Sequence, residues 1–289
     1  DKGDLEAAID SYKQAIKIKP DYVAAYNNMG NALQDKGDLE AAIDSYKQAI
    51  KIKPDYVAAY NNMGNALQDK GDLEAAIDSY KQAIKIKPDY VAAYNNMGNV
   101  LKDKGDLEAA IDSYKQAIKI KPDYVNAYYN MGATLHDKGD LEAAIDSYKQ
   151  AIKIKPDYVA AYNNMGNVLK DKGDLEAAID SYKQAIKIKP DYVDAYYNMG
   201  LALNEKGNPE AAIDSYKQAL KIKPDYPEVY YNMGNALNEK GNPEAAIDSY
   251  KQAIKIQPDF DGAYNNMGMT LIELGQRDNA FLNLKKCHE

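Results

Sequence analysis

A unit of 34 residues, written eight times and followed by a fragment of 17, accounts for all 289 residues of the chain. Asp1 to Gln34 and Asp35 to Gln68 are identical, and the unit returns with small changes from Asp69, Asp103, Asp137, Asp171, Glu205 and Glu239, before the half unit from Glu273. Self-similarity at this period marks a solenoid, in which each unit buries its apolar face only against its neighbours. Nothing is left over for a second domain, so one array over residues 1–289 is the expectation.

Within a unit, Tyr56, Val57, Tyr60, Met63, Gly64 and Leu67 recur at helical spacing, and Leu73, Ala76, Ile77, Tyr80, Ala83 and Ile84 do so again after a break at Gly71. Two amphipathic helices per unit follow. Gly71 suits the left-handed position past a helix end, and Asp72 beside it is a good N-cap for the next helix. Asn208-Pro209 and Asn242-Pro243 pair an asparagine cap with proline at the first helical position, where the missing N–H costs nothing. Pro88 stops the second helix, and Lys85 and Lys87 are expected in its last turn, facing the negative end of the dipole.

These residues resemble the tetratricopeptide repeat family, whose signature reads here as Tyr60-x2-Met63-Gly64-x2-Leu67, then Ala76-x3-Tyr80, then Pro88, over essentially the whole chain. Tyrosine stands for the usual tryptophan, methionine for leucine, leucine for tyrosine and tyrosine for phenylalanine. The resemblance implies an all-α, right-handed superhelical solenoid of 17 helices. A lone second helix from Asp4 to about Lys19 fills 1–22, seven 34-residue helix pairs fill 23–260, and a divergent pair fills 261–289. It also implies that Gly64 and Ala76 let the two helices of a pair approach closely, and that one face of the first helices lines the inner wall of a groove.

On the first helix from Val57 to about Lys70, the packing stripe takes Ala59, Tyr60, Met63, Gly64, Ala66 and Leu67. The other side carries Ala58, Asn61, Asn62, Asn65, Gln68 and Asp69. Asparagine is ~0.6 to 0.7 kcal/mol worse than alanine inside a helix. Three of them away from any cap therefore point to function. The middle asparagine recurs in every complete pair, as Asn28, Asn62, Asn96, Asn130, Asn164, Asn198, Asn232 and Asn266. Beside it stand Asn27, Asn61, Asn95, Tyr129, Asn163, Tyr197, Tyr231 and Asn265, and one turn later Asn31, Asn65, Asn99, Ala133, Asn167, Leu201, Asn235 and Met269.

An amide side chain can meet both the N–H and the C=O of a peptide unit, irrespective of the ligand's side chains. First helices ~10 Å apart would present one rung to about every third residue of an extended strand rising ~3.3 Å per residue. A similar asparagine column lines the tetratricopeptide superhelix of O-GlcNAc transferase, and the resemblance implies that the column here also holds extended polypeptide. Eight net hydrogen bonds give at most roughly 4 to 12 kcal/mol before ordering entropy is subtracted, so micromolar or weaker capture is expected. Tyr197, Leu201 and Tyr231 read as an aromatic and apolar patch for an anchor side chain, and Tyr129 with Asn126 and His136 as a second patch. Family members that grip acidic chaperone tails use lysine and arginine beside asparagine. The corresponding positions here, among them Asn27, Ala58 and Asn62, hold no cation.

Other functions are disfavoured by composition and spacing. A net charge of −8 disfavours nucleic acid, and no apolar run approaches the ~20 residues a membrane span needs. A cytoplasmic location is expected, although the chain starts at Asp1 inside a repeat and a leader could precede it. The lone Cys287 forms no internal disulfide. The carboxylates Asp35, Asp69, Asp103, Asp137, Asp171, Glu205, Glu239 and Glu273 end the first helices and favour a neutral or basic ligand. Their ~10 Å spacing is too wide for one metal ion. No nucleophile stands near His136 in the repeat, so it reads as a solvated side chain. Neither catalysis nor a cofactor is expected. Leu282, Met269 and Ile272 make the C-terminal end unusually apolar, as for self-association or docking of another domain. The sequence leaves open a scaffold, a targeting arm of a larger, glycosyltransferase-like enzyme, and an idealised array without a natural ligand.

Overall fold

The structure, a computed structural model, describes residues 2–275, so the expected seventeenth helix, Leu282 and Cys287 lie outside the described residues. Among the described residues there are sixteen helices and no strand. The chain forms two compact units, Asp1–Gln150 and Ala151–Glu289. The first unit carries α1 (Lys2–Ile18), α2 (Val23–Lys36), α3 (Leu39–Ile52), α4 (Val57–Lys70), α5 (Leu73–Ile86), α6 (Val91–Asp103), α7 (Leu107–Ile120), α8 (Val125–Lys138) and most of α9 (Leu141–Ile154). The second carries α10 (Val159–Asp171), α11 (Leu175–Ile188), α12 (Val193–Glu205), α13 (Pro209–Ile222), α14 (Pro227–Glu239), α15 (Pro243–Ile256) and α16 (Asp261–Glu273). Even-numbered helices are the first helices of pairs and odd-numbered ones the second.

The punctuation works locally as the sequence suggests. Gly71 takes φ +87°, a left-handed conformation that costs a residue without Cβ little, and its N–H bonds back to Gln68 O at 2.9 Å. Asp72 accepts from Ala75 N at 3.2 Å and starts α5, and Asn208 does the same for Ala211 N. Asn242 differs, since its side chain makes no cap bond. Lys87 also departs from expectation. It lies one residue past the end of α5, and its ammonium sits over the Tyr90 ring at 5.7 Å, so only Lys85 is in the last turn.

Each pair closes around the tyrosine of its second helix. Tyr46 and Tyr80 are 0 % exposed, whereas Tyr26 and Tyr60 are half-buried. Gly64 is needed because the Tyr80 ring lies flat against it, and a Cβ there would stand 2.5 Å from Tyr80 Cε1. The close approach thus runs from Gly64 to Tyr80. Ala76 is fully buried in the same core cluster, beside Tyr80.

In the first unit α2 packs on α3, α4 on α5 and α6 on α7. In the second α10 packs on α11, α12 on α13 and α14 on α15. First helices of successive pairs also touch, as α2 with α4, α4 with α6 and α6 with α8, and again as α10 with α12, α12 with α14 and α14 with α16. Among the described residues, second helices of successive pairs do not. Each unit therefore curves with its first helices on the inside of the bend. On the other side, Lys36, Lys70, Lys104 and Lys138 reach back to Glu6, Glu40, Glu74 and Glu108 at 3.0–3.2 Å. Such exposed pairs contribute ~0–1 kcal/mol each.

Candidate functional site

The contact between successive first helices decides where the asparagines point. Asn27, Asn61, Asn95 and Asn163 were expected on the open face, but they are buried, at 4–6 % exposure. A first helix packs on its own second helix and also on the neighbouring first helices, and this column falls in the second of those seams. Met63, expected in the packing stripe, is only half-buried. The middle column is half-buried from Asn62 onward, and Asn28 is exposed.

The amides bond to one another from repeat to repeat. Asn62 Nδ2 donates to Asn27 Oδ1 at 3.2 Å and to Asn31 Oδ1 at 3.0 Å. Asn96 Nδ2 does the same to Asn61 Oδ1 and Asn65 Oδ1, and Asn130 Nδ2 to Asn95 Oδ1 and Asn99 Oδ1, all at 3.0–3.2 Å. Asn61 Nδ2 donates at 3.3 Å to Asn62 Oδ1, and Asn95 Nδ2 likewise to Asn96 Oδ1. In the first unit the result is an unbroken line of side-chain hydrogen bonds. In the second, Asn163 Nδ2 donates to Asn164 Oδ1, and Asn198 Nδ2 to Asn163 Oδ1.

The second helices supply a component that sequence reasoning assigned only to the core. Tyr46 Oη donates to Asn31 Oδ1 at 2.8 Å, and Tyr80, Tyr114, Tyr182 and Tyr250 do so to Asn65, Asn99, Asn167 and Asn235 at 2.7–2.9 Å. Burial raises the pKa of these hydroxyls, and for Tyr80 Asp69 adds to the rise. For Tyr114 the value is pushed up to about 12. They remain donors throughout the physiological range. The fixed 15-residue separation between Tyr46 and Asn31, kept in five pairs, was the available signal.

Among the described residues no ring contact joins Tyr197 to Tyr231. Tyr197 lies against Tyr226 and Tyr216 with ring centroids 5.4 and 6.3 Å away, and Tyr231 against Phe260 and Tyr250 at 5.0 and 6.1 Å. Their hydroxyls take the place of the missing asparagine oxygen. Asn232 Nδ2 donates to Tyr197 Oη, and Asn266 Nδ2 to Tyr231 Oη, both at 3.1 Å. Leu201 packs, half-buried, in the core beside Tyr197. Nor do Tyr129, Asn126 and His136 make a second patch. Tyr129 stacks edge-on against Tyr148 at 5.8 Å, while Asn126 and His136 are separated by ten residues, ~15 Å of helix. His136 is half-buried, not fully solvated.

A second ladder links the ends of the first helices. Gln34 Nε2 donates to Asp69 Oδ2 at 2.6 Å, Gln68 to Asp103 at 2.8 Å, and Asn204 to Glu239 at 2.9 Å. Lys102 Nζ pairs with Asp137 at 3.0 Å. Asn204 Oδ1, shielded from solvent, takes no donor. Among the described residues no three His, Cys, Asp or Glu side chains converge as metal ligands, and no helix is long and apolar enough to cross a membrane.

The 34-residue register of paired helices recurs in known proteins. Sequence profiles described as TPR repeat match residues 1–37, 30–71, 64–105, 98–139, 132–173, 166–207 and 200–241, and profiles described as tetratricopeptide repeat match 227–260 and 261–289. The chain belongs to the tetratricopeptide repeat family. Among solved structures, this tetratricopeptide chain is similar to MamA, with 31 % identity, a TM-score of 0.52, and coverage of 54 % of this chain and 92 % of that one. YrrB, a TPR protein described as having an unusual peptide-binding site, is 24 % identical with a TM-score of 0.55, covering 65 % of this chain and 96 % of its own. A chain of the APC/C hetero-tetramer Cut9–Hcn1 is 16 % identical with a TM-score of 0.62, covering 92 % and 52 %. No curated protein matches the sequence.

In the tetratricopeptide frame, the face on the inside of the bend is therefore a polar surface whose side chains are already fixed by one another. Its middle asparagines have given both Nδ2 hydrogens to the preceding repeat at Asn62, Asn96 and Asn130. The column one turn later is in the opposite state. Asn31, Asn65 and Asn99 accept twice at Oδ1, and their Nδ2 groups donate to nothing among the described residues.

Proposed function

We propose that the chain is a non-catalytic protein-interaction module that captures extended polypeptide along the first helices of each unit. The observation that carries this is the unspent amide donor of Asn31, Asn65 and Asn99. Each of these groups is locked in place by two bonds to its oxygen, so its two N–H bonds can point at a ligand carbonyl with little further loss of rotamer entropy. The middle column keeps acceptor capacity, because Asn62 Oδ1 and Asn96 Oδ1 each accept a single bond at 3.3 Å and an amide oxygen has two lone pairs. A peptide unit offers the matching pair, one N–H and one C=O. Recognition is therefore shared between two columns, in place of the single column that the sequence suggested. A peptide-binding site described in YrrB, a protein of the same fold, is in keeping with this reading.

The test replaces Asn31, Asn65 and Asn99 together by aspartate. The remaining oxygens still accept from the tyrosine hydroxyls and the neighbouring amides, while the outward donors are gone. Capture of unrelated unfolded peptides, read by fluorescence anisotropy, should fall at least about tenfold. Undiminished capture by a variant with normal helical circular dichroism would remove the proposal. A second reading, a scaffold whose asparagines act only to hold repeats together, is favoured by the bonds between middle-column amides and the preceding repeat. It predicts loss of stability without any effect on peptides.

A further inference from the structure

The second unit contains a cavity of about 260 Å³ between α14 and α16, lined by Asn235, Asn238, Glu239, Tyr250, Asn266, Met269, Thr270 and Glu273. Its floor is a ladder rung, where Tyr250 Oη and Asn266 Nδ2 both bond to Asn235 Oδ1. Its walls carry two carboxylates and no cation. Met269 is 53 % exposed and offers an apolar flank.

The rest of the molecule shows what this place ordinarily contains. Between α2 and α4, α4 and α6, α6 and α8, and α12 and α14, the residue before the terminal carboxylate of one first helix reaches across to the terminal carboxylate of the next, as Gln34 to Asp69, Gln68 to Asp103, Lys102 to Asp137 and Asn204 to Glu239. Between α10 and α12 Lys170 pairs instead with Asp171 of its own helix, and between α14 and α16 the bridge is open. The side chains of Asn238 and Glu273 make no hydrogen bond to each other or to any other described residue, and the cavity lies between them. Lys102 is the internal template for its occupant, because there an ammonium rests 3.0 Å from the carboxylate at the equivalent end of α8.

The charge pattern on the same helices agrees. The bridging position, lysine at 102 and 170, is Asn204, Asn238 and Ile272 in α12, α14 and α16. These three helices have no basic residue in the last turn. The lysines that follow α12 and α14 are turned away, since Lys206 pairs with Glu176 and Lys240 with Glu210 on second helices.

We infer that the cavity between α14 and α16 is an anchoring site for a basic side chain, lysine or arginine, of a captured polypeptide. Glu239 and Glu273 receive the cation, and Met269 covers its methylene stem. The inference rests on the peptide-capture reading above and adds to it a side-chain preference and a fixed register in the second unit. A neutral peptide would slide along equivalent rungs, whereas one with a single basic residue would be held at this place.

The experiment uses the whole chain and two fluorescein-labelled peptides of about twelve residues, enough to pass four rungs at ~3.3 Å per residue. They are neutral and unstructured except that one carries a central lysine where the other has glutamine. By anisotropy the lysine peptide should bind about tenfold tighter at low salt, the scale of one charge-assisted hydrogen bond, and high salt should shrink that ratio. Glu239→Gln with Glu273→Gln keeps an acceptor for Asn204 and should bring the lysine peptide to the affinity of the glutamine peptide. Asp35→Asn with Asp69→Asn should leave the preference intact. Asn238→Lys retains both carboxylates and copies the Lys102 bridge, so it should occupy the cavity itself and abolish the preference without loss of stability. Equal binding of both peptides to the unmodified chain would overturn the anchor while leaving peptide capture standing. A preference that survives both the glutamine pair and Asn238→Lys would place the anchor elsewhere and overturn it too. Binding of neither peptide would remove peptide capture, and the anchor with it.

Discussion

Asn28 and Asn96 occupy the same place in the repeat and have the same neighbours in sequence, yet the structure gives them different work. Asn96 Nδ2 is the donor to Asn61 Oδ1, which is buried, and to Asn65 Oδ1. Asn96→Ala leaves the first of these acceptors without a donor, a loss of ~1–3 kcal/mol, from which the better helix propensity of alanine subtracts ~0.6 kcal/mol. Asn28 is exposed and only accepts a 3.4 Å bond from Asn27. Asn28→Ala should therefore be neutral or slightly stabilising. Urea denaturation of the two variants checks this, and equal effects would mean that the amide line contributes nothing to stability. The repeat pattern alone could not separate the two residues, because what differs is a neighbouring first helix, which α6 has on both sides and α2, among the described residues, on one.

The helices were legible almost to the residue, since capping is local chemistry. Val57–Lys70 is helix α4 as the spacing indicates, and glycine, aspartate and proline mark the ends where expected. Asn208 and Asn242 show the limit of that legibility. Both precede proline and read alike, but only Asn208 accepts a bond from the helix it opens. Asn208→Ala should cost about 1 kcal/mol, and Asn242→Ala distinctly less. Thermal melts of the two single variants would show the difference, and a larger loss at Asn242 would contradict the cap geometry.

In five pairs among the described residues, a core tyrosine of the second helix places its hydroxyl on the side-chain oxygen of the asparagine that is the ninth residue of the first helix. Burial raises the pKa of Tyr46, Tyr80, Tyr114, Tyr182, Tyr216 and Tyr250 above the ordinary value near 10, that of Tyr114 to about 12. The folded state thus favours the neutral phenol. That contribution is complete below pH 10, the unfolded value, and is lost as pH rises through 12, because each ionised hydroxyl must either leave the core or unfold its pair. Alkaline titration should show tyrosinate absorbance and loss of helical circular dichroism rising together above pH 10. Ionisation of these tyrosines at ordinary pH in a fully helical protein would contradict their burial. The same repetition makes the effect cooperative within a unit, since neighbouring pairs share the amide line.

The 34-residue period determined the helix pairs, their caps, the family and the core tyrosines, because each of these follows from spacing and local backbone chemistry that one repeat contains in full. Which asparagines face outward was decided by tertiary structure. A helix pattern marks the side away from the core, but it carries no sign of where the next first helix will press. That seam buries Asn61, spends the donors of Asn62 and leaves those of Asn65 free. The opening at Glu273 likewise exists because Asn238 stops short of a bridge that longer or better-placed side chains close at four other junctions, a matter of reach across ~10 Å between helices that no single repeat encodes.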